Sequence, residues 1–180
     1  AGGYFVTLAA PPCSTYSVAR FITPANGKPG PPPVRDRAHI LGLPHVPPAH
    51  RRELRRANEV TRRTCVLLTA AYRAGGDFCV ENPSDRGDPE LPLLFNCTEH
   101  GPIWLDPYVK ELLHASSADF ATFAQCMLGA ATQKYSTLAF TSGLSPHLKS
   151  LDRLSCTHPP GTHAAAAGGK QLEDGSWNSA

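Results

Sequence analysis

Two short segments carry side chains able to do covalent chemistry. Pro11-Pro12-Cys13-Ser14-Thr15-Tyr16-Ser17 sets a cysteine just after an apolar run, at the start of the polar stretch that ends in Arg20. Helix-type N–H groups and a nearby arginine stabilise a thiolate, so Cys13 suits nucleophilic attack; a small cysteine equally fills core space. In Phe78-Cys79-Val80-Glu81-Asn82-Pro83 a carboxyl group also follows a short apolar run. A thiolate beside a carboxyl group couples covalent attack to proton transfer. Taken alone, Glu81 would as readily cap a turn or pair with Arg86. Cys156, His158 and His163 are zinc-type donors, but the sequence shows no fourth ligand and Pro159-Pro160-Gly161 reads as a plain loop, so no metal is assigned. His39, His45 and His50 read as solvated.

For Cys13 and Glu81 to meet, the elements before them must be neighbouring parallel strands. Residues 4–10 are apolar and stopped by Pro11-Pro12, as in a buried strand of a parallel sheet. Residues 78–80 form the second strand. Between them, Leu54, Ala57, Thr61, Cys65, Leu68 and Tyr72 recur at three- and four-residue steps, predicting a helix over 49–74 that Gly75-Gly76 stops. Strand, helix, strand is the logic of a βαβ unit, where ligand-facing groups collect beyond the strand ends. Residues 23–48, dominated by proline and glycine, form a long loop. Asp106-Pro107 reads as a helix cap and first position, with a short helix over 108–114. Residues 120–126 and 138–141 are further strands around a polar turn at 129–136, and 146–151 a last short helix. The expectation is an α/β fold, a partial Rossmann-like domain with a mostly parallel sheet over 1–143, followed by a short helix and irregular tail over 144–180.

Hydrophobic residues make up 41% and charged residues 18%, a globular composition that excludes a wholly disordered chain. Net charge is only +2, yet Arg51, Arg52, Arg55, Arg56, Arg62 and Arg63 cluster on the long helix, either facing phosphates or forming a solvated face. The six cysteines are widely spaced and no signal segment precedes them, which favours an intracellular, reduced protein. No apolar run is long enough for a membrane-spanning helix. Asn96-Cys97-Thr98 matches a glycosylation sequon and is taken as coincidental. The early first strand and the Gly/Ala-rich tail read as an excerpt from a longer chain.

Pro-Pro-Cys-Ser-Thr-Tyr-Ser resembles the nucleophile motif of the cytosine 5-methyltransferase family, and Glu81-Asn82-Pro83 after Gly-Gly-Asp-Phe-Cys-Val resembles that family's Glu-Asn-Val segment. Order, strand context and intervening helix agree over roughly residues 4–141. The resemblance implies that Cys13 adds to carbon 6 of cytosine while Glu81 holds nitrogen 3, so that carbon 5 accepts a methyl group from S-adenosylmethionine. It implies that Pro12 lies against that cofactor and that Ser17, Arg20, Asn82, Gln133 and Tyr135 face a base extruded from DNA. The family's Gln-x-Arg-x-Arg motif maps onto Gln133 to Thr137, with Tyr135 and Thr137 at the arginine positions. The Gly-rich donor loop would precede residue 1. A nuclear location follows if the source is eukaryotic; oligomeric state is left open. Two other readings remain: an amino-methylating enzyme using Asn82-Pro83, and a decayed nucleic-acid-binding module, as in a mobile-element polyprotein.

Overall fold

The computed structural model describes residues 5–22, 30–91, 96–159, 161–164, 170–171 and 177–178. Strand β1 (Val6–Ala9) leads through a loop into helix α1 (Pro48–Arg73), which returns the chain to β2 (Asp77–Pro83). Pro48 sits in the first turn of α1, where its missing N–H costs nothing. The apolar stripe buries Leu54, Ala57, Thr61, Cys65 and Leu68 as its period requires, while Tyr72 stays half exposed. Gly75, at φ +86°, ends the helix in a conformation that a side chain would resist. Helix α2 (Pro107–Ala115) starts where expected, its Tyr108 N–H donating to the Asp106 side chain. Strands β3 (Asp119–Ala124) and β4 (Tyr135–Phe140) follow, then helix α3 (Ser145–Leu148) running into a 3-10 turn, Lys149–Arg153.

The four strands form one sheet in the order β1-β2-β4-β3. Only β1 and β2 pair in parallel; β4 runs antiparallel to both β2 and β3. The expectation of a mostly parallel sheet is therefore corrected to a mixed one. The reason lies in the connections. The segment joining β3 to β4 is too short, and contains too little helix, for the crossover that a parallel return needs. It turns back instead, inverting β4.

Phe78, Val80 and Ala139 face α1 and α2 in the main core, together with Tyr16, Ile103 and Leu112. Cys79, Ala121 and Phe140 face the other way, beneath Leu144, Leu148 and Leu151. Each of the fully buried aromatic side chains contributes roughly 1.5–3 kcal/mol of transfer free energy. Two strand expectations need revision. β1 is a half-exposed edge strand, with Phe5 at 88% and Leu8 at 77% exposure; it pairs with β2 alone among the described residues, and its outer face is bare. β2 runs on through Glu81 and Asn82, which pair with Leu138 and Thr137 of β4, so Glu81 lies within the strand.

Residues 30–47 form no helix or strand, as the proline content dictates; residues 23–29 of that loop lie outside the described set. Gly101 lets this loop pass, because a Cβ there would come within 2.6 Å of the Asp36 carbonyl oxygen. In the tail, β5 (Lys170–Gln171) and β6 (Trp177–Asn178) pair antiparallel; the remaining tail residues also fall outside the described set. No described helix is long and apolar enough to cross a membrane.

Candidate functional site

The parallel register pairs Ala9 with Val80, so the chain bearing Cys13 leaves β1 beside the point where β2 runs on through Glu81. A direct bond joins them: Asn82 Nδ2 donates to the Pro11 carbonyl at 3.0 Å. Cys13 follows in a turn closed by Tyr16 N–H on the Cys13 carbonyl, and its side chain is partly exposed. Glu81 shares a sheet face with Cys79 by strand alternation. Its carboxylate accepts from Ser136 Oγ at 2.5 Å and lies 3.4 Å from Lys134 Nζ; the side chain is 29% exposed. Gln125 Nε2 donates in turn to Ser136 Oγ. The other cysteines near these strands differ in kind. Burial pushes the Cys65 thiol up to about 12 and the Cys79 thiol up to about 11, which leaves both inert as nucleophiles.

The Cys13 turn is held by a buried polar network that the sequence did not reveal. Arg35 is fully buried and stacks on the Tyr16 ring at 3.7 Å while donating to Thr15 Oγ1, Asn58 Oδ1 and the Ile40 carbonyl. Tyr16 Oη donates to Asp106 Oδ2 at 3.0 Å. Burial raises the Tyr16 hydroxyl to about 12, so it remains a donor. Burial also lowers the Arg35 guanidinium from its ordinary value, opposed by Tyr16 and Asp106. His100, wholly buried, accepts the Arg86 N–H at Nδ1, which assigns the proton to Nε2 and makes that nitrogen the donor to the Tyr16 carbonyl. Behind it Arg37 clamps Asp85, whose carboxyl lies at about 2: burial alone would raise it, but the Arg37 guanidinium and the Gly87 N–H lower it.

Several expected site residues serve this scaffold. Arg20 spends its guanidinium on the Ser14 and Pro32 carbonyls and on Glu53. Ser17 caps a short 3-10 turn by accepting from Ala19 N–H. Asn82 is buried as the stitch between the two motifs. Tyr135 is buried, its hydroxyl accepting from Cys156 N–H. Pro12 is exposed, and Gln133 half-buried beside the turn. No described contact joins Gln133 or Tyr135 to Cys13.

Comparison with protein-family models, curated proteins and solved structures finds no match. Ser14 Oγ donates to Glu53 of α1, which brings the basic start of that helix beside the Cys13 loop. Arg62 and Arg63 share one carboxylate, Glu59, while Arg51, Arg52, Arg55 and Arg56 are exposed. The first turn of α1 holds no acidic residue and no side-chain cap. Cations there oppose the helix dipole, a disfavoured placement that an incoming anion would relieve. One expected trio gains a fourth member that the sequence did not show: the donor atoms of Cys126, Cys156, His158 and His163 lie within 4.8 Å of one another. Cys126 sits inside an apolar stretch, Phe123 to Leu128, whose pattern shows only a strand end.

Proposed function

We propose that this chain forms the target-base side of a cytosine 5-methyltransferase-like domain, in which Cys13 attacks carbon 6 of an extruded cytosine and Glu81 engages nitrogen 3. The observation that supports this reading is the Asn82–Pro11 hydrogen bond, which ties the chain just before Cys13 to the residue next to Glu81 in β2, although strand alternation sets the Glu81 carboxylate on the opposite sheet face from Asn82. Attack at carbon 6 makes carbon 5 nucleophilic enough to take a methyl group, so both residue types are needed at one place. Ser136 and Lys134 orient the Glu81 carboxylate. The exposed arginines at the start of α1 suit the phosphates of DNA flanking the extruded base. S-adenosylmethionine would supply the methyl group, with Pro12 on the donor side of the nucleophile. The bare face of β1 formed by Val6 and Leu8 suits coverage by further structure such as a donor-binding half.

A second reading, a nucleic-acid-binding module without catalysis, is favoured by one observation: Arg20 and Asn82 are committed to internal bonds and hold the loop whether or not chemistry occurs. One experiment separates the readings. The protein at its full natural length is given DNA and isotope-labelled S-adenosylmethionine, and the product nucleosides are analysed. The expected product is 5-methyldeoxycytidine, with Glu81→Gln slowing its formation by roughly 10²–10⁴-fold. DNA binding without label transfer would establish the module, and label on an exocyclic amine would assign the chemistry to Asn82-Pro83 and refute the role of Cys13.

A further inference from the structure

We infer that Cys126, Cys156, His158 and His163 hold one zinc ion as a closed, structural site. Cys126 lies in the 3-10 turn Gln125–Leu128 at the end of β3, and the other three lie in the segment beyond the last helical turn. The chain thus brings together two thiols and two imidazoles from segments thirty residues apart, the Cys2His2 set typical of structural zinc.

The distances fit that ion. Zinc–sulfur bonds of about 2.3 Å and zinc–nitrogen bonds of about 2.0–2.1 Å at a tetrahedral angle put sulfur and nitrogen ligands about 3.6 Å apart. Cys156 Sγ lies 3.6 Å from His158 Nδ1 and 3.5 Å from His163 Nε2. With the same bonds, two coordinated imidazoles have ring centres about 5 Å apart. The His158 and His163 rings stand 5.1 Å apart at an interplanar angle of 88°. All four donor atoms lie within 4.8 Å of one another, against about 3.3–3.8 Å between ligands of a tetrahedral zinc, so an incoming ion draws the widest pair together by about 1–1.5 Å.

The backbone is shaped to present these donors. Gly161 at φ +83° and the bond from Thr162 Oγ1 to the Pro159 carbonyl fold the segment between the two histidines. Ala124 N–H donates to the Leu154 carbonyl and Ala164 N–H to the Ala131 carbonyl, pinning the segment at both ends against β3 and the β3–β4 turn. Apolar packing brings Cys126 and Cys156 together with Ala124, Met127 and Tyr135, but it does not explain the two imidazoles, since His158 is exposed and His163 only half-buried. Four protein donors leave no open position, so the ion is a fastener and not a Lewis acid. What it fastens is the start of β4: Tyr135, whose hydroxyl receives the Cys156 N–H, precedes Ser136, the partner of Glu81.

The inference stands whether or not the chain methylates DNA, and its test reads metal and not activity. The chain is purified without a histidine tag from zinc-containing medium, its metal content measured by mass spectrometry, and the zinc then exchanged for cobalt(II). One zinc per chain is expected, with the strong visible bands and thiolate-to-metal charge transfer of tetrahedral cobalt. His158→Ala, His163→Ala and Cys126→Ser should each weaken binding by more than the roughly 10–100-fold that loss of an outer-shell partner costs. The control His147→Ala, exposed and outside the cluster, should keep full metal. The histidine variants remove half-buried or exposed side chains, so they remain informative if Cys126→Ser fails to fold. A metal-free chain with a Cys126–Cys156 disulfide, or native affinity in any folded ligand variant, overturns the assignment.

Discussion

The segments that carry Cys13 and Glu81, proposed above as two walls of one site, are held by different means. The β1 wall is set by the polypeptide itself: Arg35, Tyr16, Asp106 and His100 interlock beneath the Cys13 turn, all buried. The β4 wall is lighter. Glu81 leans on Ser136 and Lys134, and the strand start that bears Ser136 is tethered to a peripheral segment through Tyr135. In the proposed reaction Cys13 would have to be fixed in one geometry, and a buried network achieves this at the cost of desolvating charge. Glu81, following an incoming base in that reaction, would tolerate a softer mount. The zinc cluster would stiffen that mount without occupying the site.

The contrast makes graded predictions. The largest effect belongs to the β1 wall. Arg35→Met leaves Thr15 and the Ile40 carbonyl without their buried partner and removes the cation from the Tyr16 ring. Urea denaturation should show a loss of about 3–5 kcal/mol. A loss below about 1 kcal/mol would show that the network does not hold the turn. Next comes Asp85, with its carboxyl at about 2 against about 3.9 in an unfolded chain. A depressed folded value means its stabilisation is complete above about pH 4 and is lost as pH falls through about 2. Acid titration of stability should reveal roughly 2 kcal/mol from this group over that window, and the step should vanish in Asp85→Asn. The smallest effect belongs to the β4 wall. Ser136→Ala should cost about 1 kcal/mol of stability while leaving Glu81 without its orienting donor, so that methyl transfer falls more than stability does. Equal losses in both would make Ser136 a packing residue only.

How much of this was legible depended on whether the signal was local. Helix α1 announced itself because one stripe is apolar, and α2 because Asp106-Pro107 is a start signal readable in two residues. The two segments proposed as a site were proposed for the same reason, each being a contiguous motif after an apolar run. The direction of β4 was not, because a strand buried on both faces looks alike read either way. β1 was taken for a buried strand because Phe5 to Ala9 is apolar, whereas burial depends on neighbours that the sequence does not display. Arg35 and His100 sit in loops with no period to mark them as core. Cys126 was hidden among Phe123, Ala124, Met127 and Leu128, and only the fold brings it to Cys156 and the two histidines.

The most direct measurement of the central proposal is covalent trapping on DNA containing 5-fluorocytosine, with S-adenosylmethionine and the protein at full natural length. Fluorine at carbon 5 cannot leave as a proton would, so the enzyme–base adduct persists and peptide mapping identifies the attached residue. The account predicts an adduct on Cys13 alone, abolished in Cys13→Ser. An adduct on Cys65 or Cys79, or undiminished trapping in the serine variant, would contradict it.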